Sequence, residues 1–168
     1  MNCLFVIDVQ NGFVSESTEH IVPEIFSLMD EFEGTIIVTK FINQDGSAYE
    51  RFMDWNDLKT SPEIDLIPAV EDKADLVMEK EGYTACTEEM MAYLRKNEID
   101  TVYLAGIDTD CCVLKTAADL FEYGIRPVVL ADYCASNGGK ASHDAGILVL
   151  ERTIGEKQIV SGKFQSRG

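Results

Sequence analysis

Thr101-Val102-Tyr103-Leu104-Ala105-Gly106-Ile107-Asp108-Thr109-Asp110-Cys111-Cys112-Val113-Leu114-Lys115-Thr116-Ala117 decides how this chain is read. Thr101 to Ala105 is an apolar, β-like run, and Val113 to Tyr123 reads as a helix that Gly124 ends. A thiol therefore sits where a buried strand turns into a helix. In open α/β folds that edge of the sheet is where ligands bind. A helix N-terminus favours anions, and a thiolate is an anion, so the position alone makes one cysteine a candidate nucleophile.

Working outward, strand-like and helix-like segments alternate. Cys3 to Val9 is a continuous apolar run, as expected of a strand buried on both faces. Pro23 to Phe32 reads as a helix with proline in its first turn, Gly34 stops it, and Thr35 to Ile42 is a second strand. Asp75 to Glu79 is a third, and Thr87 caps a helix to Asn97 with Glu88 and Glu89 in its first turn. After the cysteine helix come a strand over Arg126–Ala131, a helix over Lys140–Thr153 and a short strand over Gln158–Ser161. Six strands in this rhythm predict one α/β domain over 1–168: a three-layer α/β/α, Rossmann-like arrangement around a mostly parallel sheet. The exception is a loop-rich insertion, about 43–73, with no clean strand and with Tyr49, Phe52 and the single tryptophan, Trp55. It reads as a pocket wall or lid, because long ordered loops in compact domains often carry function.

A chain of 168 residues, 46% hydrophobic and 26% charged, suits one globular domain. Its net charge of -16 argues against nucleic acid and anionic membranes as partners. Five cysteines with no C-x-x-C pair argue against a disulfide framework, and no signal-like apolar region follows Met1; both point to a cytoplasmic protein. Two histidines, His20 and His143, cannot furnish a histidine-rich metal site and read as structural.

Three strand ends present polar groups: Asp8 and Gln10 after the first, Lys80 after the third, Cys112 after the fourth. In a parallel sheet all three ends lie along one edge and can converge. A free thiol has a pKa of roughly 8.5, so an adjacent ammonium and helix N-terminus are expected to stabilise its thiolate. A carboxylate can take the proton and later return it to a leaving group. Each residue alone has an ordinary structural explanation; their coincidence at matching strand ends is the signal.

These residues also carry a resemblance. Asp8, Gln10 and Phe13 match a D-x-Q-x-x-F element, Lys80 precedes Tyr83-Thr84-Ala85, and Gly106, Thr109, Cys112, Val113, Thr116 and Ala117 match G-x-x-T-x-x-C-V-x-x-T-A. The chain resembles the isochorismatase-like cysteine hydrolases, which include nicotinamidases and N-carbamoyl-amide hydrolases. The resemblance implies that fold, and it implies an Asp8–Lys80–Cys112 triad that cleaves a C–N bond of a small amide or ureido substrate through a thioester. It selects Cys112 over Cys111, which physics alone left open. It further implies a cis peptide at Ile107–Asp108, an oxyanion hole from the backbone N–H groups of Asp108 and Cys112, and a homo-oligomer, dimer or tetramer. Such chemistry needs no organic cofactor. Phe13 and Tyr83, which flank the triad, and Gln10, Tyr49 and Trp55 are the candidate substrate contacts. Nicotinamidases hold a metal with an Asp and histidines after the second strand; Asn43 to Phe52 holds no histidine, so neither that metal nor that activity is expected. Cys86, Tyr133 and Cys134 also depart from the family pattern. The alternatives are isochorismatase-type vinyl-ether hydrolysis, a non-enzymatic oligomeric small-molecule binder, and redox sensing by Cys111–Cys112.

Overall fold

The computed structural model describes residues 2–165; Met1 and residues 166–168 of the predicted 1–168 domain lie outside them. Six strands form one sheet: β1 (Asn2–Ile7), β2 (Thr35–Phe41), β3 (Leu76–Lys80), β4 (Thr101–Ile107), β5 (Arg126–Ala135) and β6 (Ile159–Val160). Their order is β3-β2-β1-β4-β5-β6, and every pairing is parallel. The order reverses at β1, between β2 and β4, which opens a crevice at the carboxyl ends of these strands.

The apolar run of β1 is explained by its two faces. Cys3, Phe5 and Ile7 enter one core with residues of α4 (Glu88–Lys96), α5 (Leu114–Glu122) and α6 (Gly139–Ile154). Leu4 and Val6 enter the other core with α1 (Val22–Glu31) and the one-turn α3 (Pro68–Glu71). The expected three layers are present, and Thr87 caps α4 by accepting a hydrogen bond from the Met90 N–H at 3.2 Å.

Two strands run further than expected. β4 continues through Gly106 to Ile107, and β5 continues through Asp132 to Ala135. Glycine reads as a break in a strand pattern, yet Gly106 sits at φ 128°, where a Cβ would lie 2.2 Å from the Ile7 carbonyl oxygen. Only glycine lets β4 approach β1 so closely there. The register of β4 and β5 shifts between Leu104 and Gly106, which accommodates exposed Asp132 within β5 while Tyr133 and Cys134 stay buried.

The segment about 43–73 holds α2 (Ala48–Met53) and α3, and it is tethered at several points. Asn43 Nδ2 donates to the carbonyls of Trp55 (3.2 Å) and Asp57 (3.0 Å), and its Oδ1 accepts from Ser47 Oγ (2.6 Å). Lys59 bridges Asp45 and Glu50. The segment is a pinned wall beside the crevice.

Candidate active site

Asp8 follows β1 directly, in the left-handed region at φ 51°. That conformation ends the strand. The Thr39 hydroxyl donates to Asp8 Oδ1 at 2.7 Å and accepts from the Asp8 N–H at 3.2 Å. Lys80, the last residue of β3, crosses beneath β2's end and brings Nζ within 2.8 Å of Asp8 Oδ2. Oδ2 has that close ion-pair contact but no well-aligned hydrogen bond. Lys80 Nζ also donates to the carbonyls of Gly82 (2.7 Å) and Tyr83 (3.1 Å), and it stands 3.5 Å from Cys112 Sγ. The three strand ends therefore meet around one ammonium. Asp8 is fully buried and Lys80 is 3% exposed, so the pair is shielded from water and strongly coupled.

Cys112 lies in a wide helical turn, Thr109–Val113, that precedes α5. The Val113 N–H reaches back to the Asp108 carbonyl at 3.2 Å, the i→i−5 spacing of a π-type turn, a form that recurs at functional sites. The peptide bond Ile107–Asp108 is cis, as the resemblance implied. α6 packs closely on this turn: a Cβ at Gly146 would lie 2.9 Å from Asp110 Cα, and His143 Nδ1 lies 2.7 Å from Thr109 Oγ1. His143 thus braces the turn that carries Cys112, in keeping with a structural role; its burial lowers its basicity.

The thiol's resting state corrects the expectation of a stabilised thiolate. Burial raises the Cys112 pKa well above the ordinary thiol value, and the Asp8 carboxylate raises it further; Lys80 opposes both and does not prevail. For Lys80, burial disfavours the charge, but Asp8 and the Cys112 sulfur outweigh that and hold its pKa above the lysine norm. Burial and the neighbouring Asp8 thus favour the thiol form of Cys112, and Lys80 favours the thiolate. Cys111 is half-buried, and burial pushes its thiol up to about 11.

Cys112 opens into a cavity of about 180 Å³ lined by Phe13, Phe41, Tyr49, Met53, Trp55, Tyr83, Asp108 and Cys111. The rings pack on one another: Trp55 stacks on Phe13 (6.2 Å between centroids) and Phe41 (6.0 Å), and Tyr49 meets Tyr83 edge-on at 5.2 Å. Phe13, Tyr49, Trp55 and Tyr83 thus stand where the sequence suggested. Gln10 does not. It is fully buried, its Nε2 donates to the carbonyls of Phe41 (2.8 Å) and Ile64 (2.9 Å), and its Oε1 accepts from the Phe41 N–H (2.8 Å). An amide so engaged is a clamp between β1, β2 and the 43–73 segment, not a substrate contact. Sequence reading missed Phe41, Met53 and the side chain of Asp108 as wall residues, and Thr39 as the partner of Asp8.

With this geometry in place, the comparisons decide the family. The family model described as the isochorismatase domain matches residues 2–158. The chain belongs to that family. It is 29% identical over 140 residues to isochorismatase family protein 2A of Dictyostelium discoideum, covering 79% of this chain and 66% of that protein, just under two thirds of its length. It is also 29% identical over 178 aligned positions to a nicotinamidase of Acinetobacter baylyi, covering 79% and 81% of the two chains. Among solved structures, N-carbamoylsarcosine amidase from Thermoplasma acidophilum superposes with a TM-score of 0.84 at 22% identity, covering 99% of both chains. At that identity the likeness establishes the isochorismatase-like hydrolase fold.

The metal of the nicotinamidase resemblance does not fit the residues after β2: that stretch has no imidazole, and Asn43 is spent on the loop's own backbone. Among the described residues, Asp108, Asp110 and Cys111 place ligand-type atoms within 4.8 Å of one another. Asp108 and Asp110 already accept hydrogen bonds from Asn137 and Ser136, and the Cys111 thiol is held protonated. No described helix is long and apolar enough to cross a membrane.

Proposed function

We propose that the protein is a cysteine hydrolase that cleaves the C–N bond of a small amide or ureido compound. One observation carries this reading: a single buried ammonium stands 2.8 Å from Asp8 Oδ2 and 3.5 Å from Cys112 Sγ, behind an aromatic cavity. Membership in the isochorismatase family supports hydrolysis, and relatives named as a nicotinamidase and an N-carbamoylsarcosine amidase support an amide-type bond.

In this mechanism the thiol proton of Cys112 passes to Asp8 as the sulfur attacks the carbonyl carbon. Lys80 offsets the negative charge in both proton positions, so it holds the two partners together while the proton moves. The backbone N–H groups of Asp108 and Cys112 receive the developing oxyanion. The C–N bond breaks as Asp8 returns its proton to the leaving amine, leaving a thioester. Water then adds to the thioester, giving its proton to Asp8; the C–S bond breaks, the acid departs, and Cys112 recovers its proton.

Vinyl-ether hydrolysis of an isochorismate-like substrate is the weaker reading. It requires an anionic substrate, and the residues lining the cavity include the Asp108 carboxyl and no lysine, arginine or histidine. The decisive experiment is a screen of small amides, ureido acids and nicotinamide with wild-type protein and Cys112→Ala. Turnover of an amide by wild type that Cys112→Ala abolishes, with an unchanged melting profile, is the expected result. Substantial turnover by Cys112→Ala removes the covalent step.

A further inference from the structure

The walls of the cavity carry one charge-bearing side chain besides the thiols and phenols, and that side chain is fixed in place. Asp108 is half-buried, and the hydrogen bonds to its carboxyl both fall on Oδ1: from the Asn137 N–H at 3.1 Å and from Asn137 Nδ2 at 2.9 Å. Among the described residues, Oδ2 accepts none. Asn137 is itself held, because its Nδ2 also donates to the Phe13 carbonyl at 3.0 Å and its Oδ1 accepts from Ser15 Oγ at 2.7 Å. One asparagine therefore orients the carboxyl and anchors an aromatic wall beside it.

The surroundings of this carboxyl are rings: Phe13, Phe41, Tyr49, Trp55 and Tyr83 line the same cavity. Ring faces are negative and attract cations, most strongly where water is excluded. A carboxylate in such a box lacks a counter-charge, and burial pushes its pKa up to about 6, with Asp110 and Asp8 adding to the push and Asn137 opposing it. A substrate carboxylate bound here would face a like charge, while the Lys80 ammonium behind Cys112 is already engaged by Asp8 and the carbonyls of Gly82 and Tyr83, a selection by repulsion as much as by attraction. A cavity of about 180 Å³ also lies below the roughly 300–1,000 Å³ of drug-sized sites, so the occupant is compact.

We infer that Asp108, oriented by Asn137, is the specificity residue of this site, and that it selects small amides bearing a positive charge or an N–H donor while rejecting those bearing a carboxylate. The turnover arm of its test rests on the hydrolase reading; the binding arm does not. Two probe series separate size from charge: glycinamide, propionamide and malonamate, and 3-(aminomethyl)benzamide, benzamide and 3-carbamoylbenzoate. Each is measured by kcat/KM with wild type and Asp108→Asn, and by calorimetric binding to Cys112→Ala with and without Asp108→Asn.

The cationic amide of the series that fits is expected to exceed the anionic one by about tenfold or more in both readouts. Asp108→Asn, which keeps the shape and the backbone N–H, is expected to collapse that ratio toward one. Preserved charge ranking in binding without turnover of any amide would sink the hydrolase reading and leave the selection standing. Turnover with the anionic amide as good as the cationic one would sink the selection alone. A ratio unmoved by Asp108→Asn, or no binding of any of the six compounds, overturns it as well.

Discussion

The two sides of the crevice are built differently. The proposed reacting side takes Asp8 and Lys80 from the ends of β1 and β3 and Cys112 from the helical turn that follows β4, and its polar groups are buried. The recognition side comes mostly from connections: Tyr49, Met53 and Trp55 lie in the 43–73 segment, Tyr83 follows β3, and exposed Met53 marks its rim. Strand ends are fixed by the sheet's hydrogen bonds to within fractions of a residue. Loop walls are fixed only by the tethers they carry. On the proposed function, proton and acyl transfer would rest mainly on the first kind of support and the choice of substrate on the second.

Removing Asp8, the proposed proton carrier, should break this division most sharply. Asp8→Asn is expected to lower kcat by about 10²–10⁴. Because Asp8 is one of the groups that raises the Cys112 pKa and Lys80 opposes it, the same variant should alkylate at Cys112 faster than wild type near pH 7 when treated with iodoacetamide. Slower alkylation together with lost turnover would mean that Asp8 activates the thiol in the resting state, contrary to the protonated-thiol picture. Next in size, Lys80→Met leaves Asp8 buried without its cation and should destabilise the fold by about 3–5 kcal/mol in denaturant melts. A loss near zero would show the pair to be hydrated.

On the recognition side the sign is reversed. Asp108 has a pKa of about 6 in the folded chain against 3.8 for an ordinary aspartate. Below pH 3.8 both folded and unfolded chains are protonated there, and the group contributes nothing. As pH rises through 3.8 to 6 the unfolded chain ionises first, so stability falls, and above 6 the full penalty is present. Asp108→Asn should therefore stabilise the protein by about 1–3 kcal/mol at pH 8 and by little at pH 4. An equal effect at both pH values would assign the change to packing. Smallest of all, Trp55→Ala should raise KM about tenfold while changing kcat little, because it removes wall and leaves the triad. A fall in kcat with KM unchanged would make Trp55 part of the reacting side.

The reacting side was the more legible in the sequence. A continuous apolar run such as Cys3–Val9 announces a doubly buried strand, parallel strands share one carboxyl edge, and Asp8, Lys80 and Cys112 stand at or just beyond their ends. The choice of Cys112 over Cys111 came from the family motif, since adjacent residues in a helical turn differ by direction, which spacing does not reveal. The recognition side was half legible. Aromatic residues in a long loop suggested a wall, but Phe41 read simply as strand, and Gln10 read as a contact because its backbone clamp spans residues 31 and 54 positions away. The lengths of β4 and β5 were hidden by Gly106 and Asp132, whose local meaning is a break and whose tertiary setting is a shifted register.

The Gln10 clamp gives the molecule a modular seam. The Gln10 side chain joins the main chain of Phe41 at the end of β2 to that of Ile64 in the loop, beside backbone bonds that tie Val9, Asn11 and Gly12 to the same segment, and main-chain groups are present whatever side chains the loop displays. A different insertion offering a carbonyl at the same spot would dock equally well, so new walls could be spliced onto an untouched reacting edge.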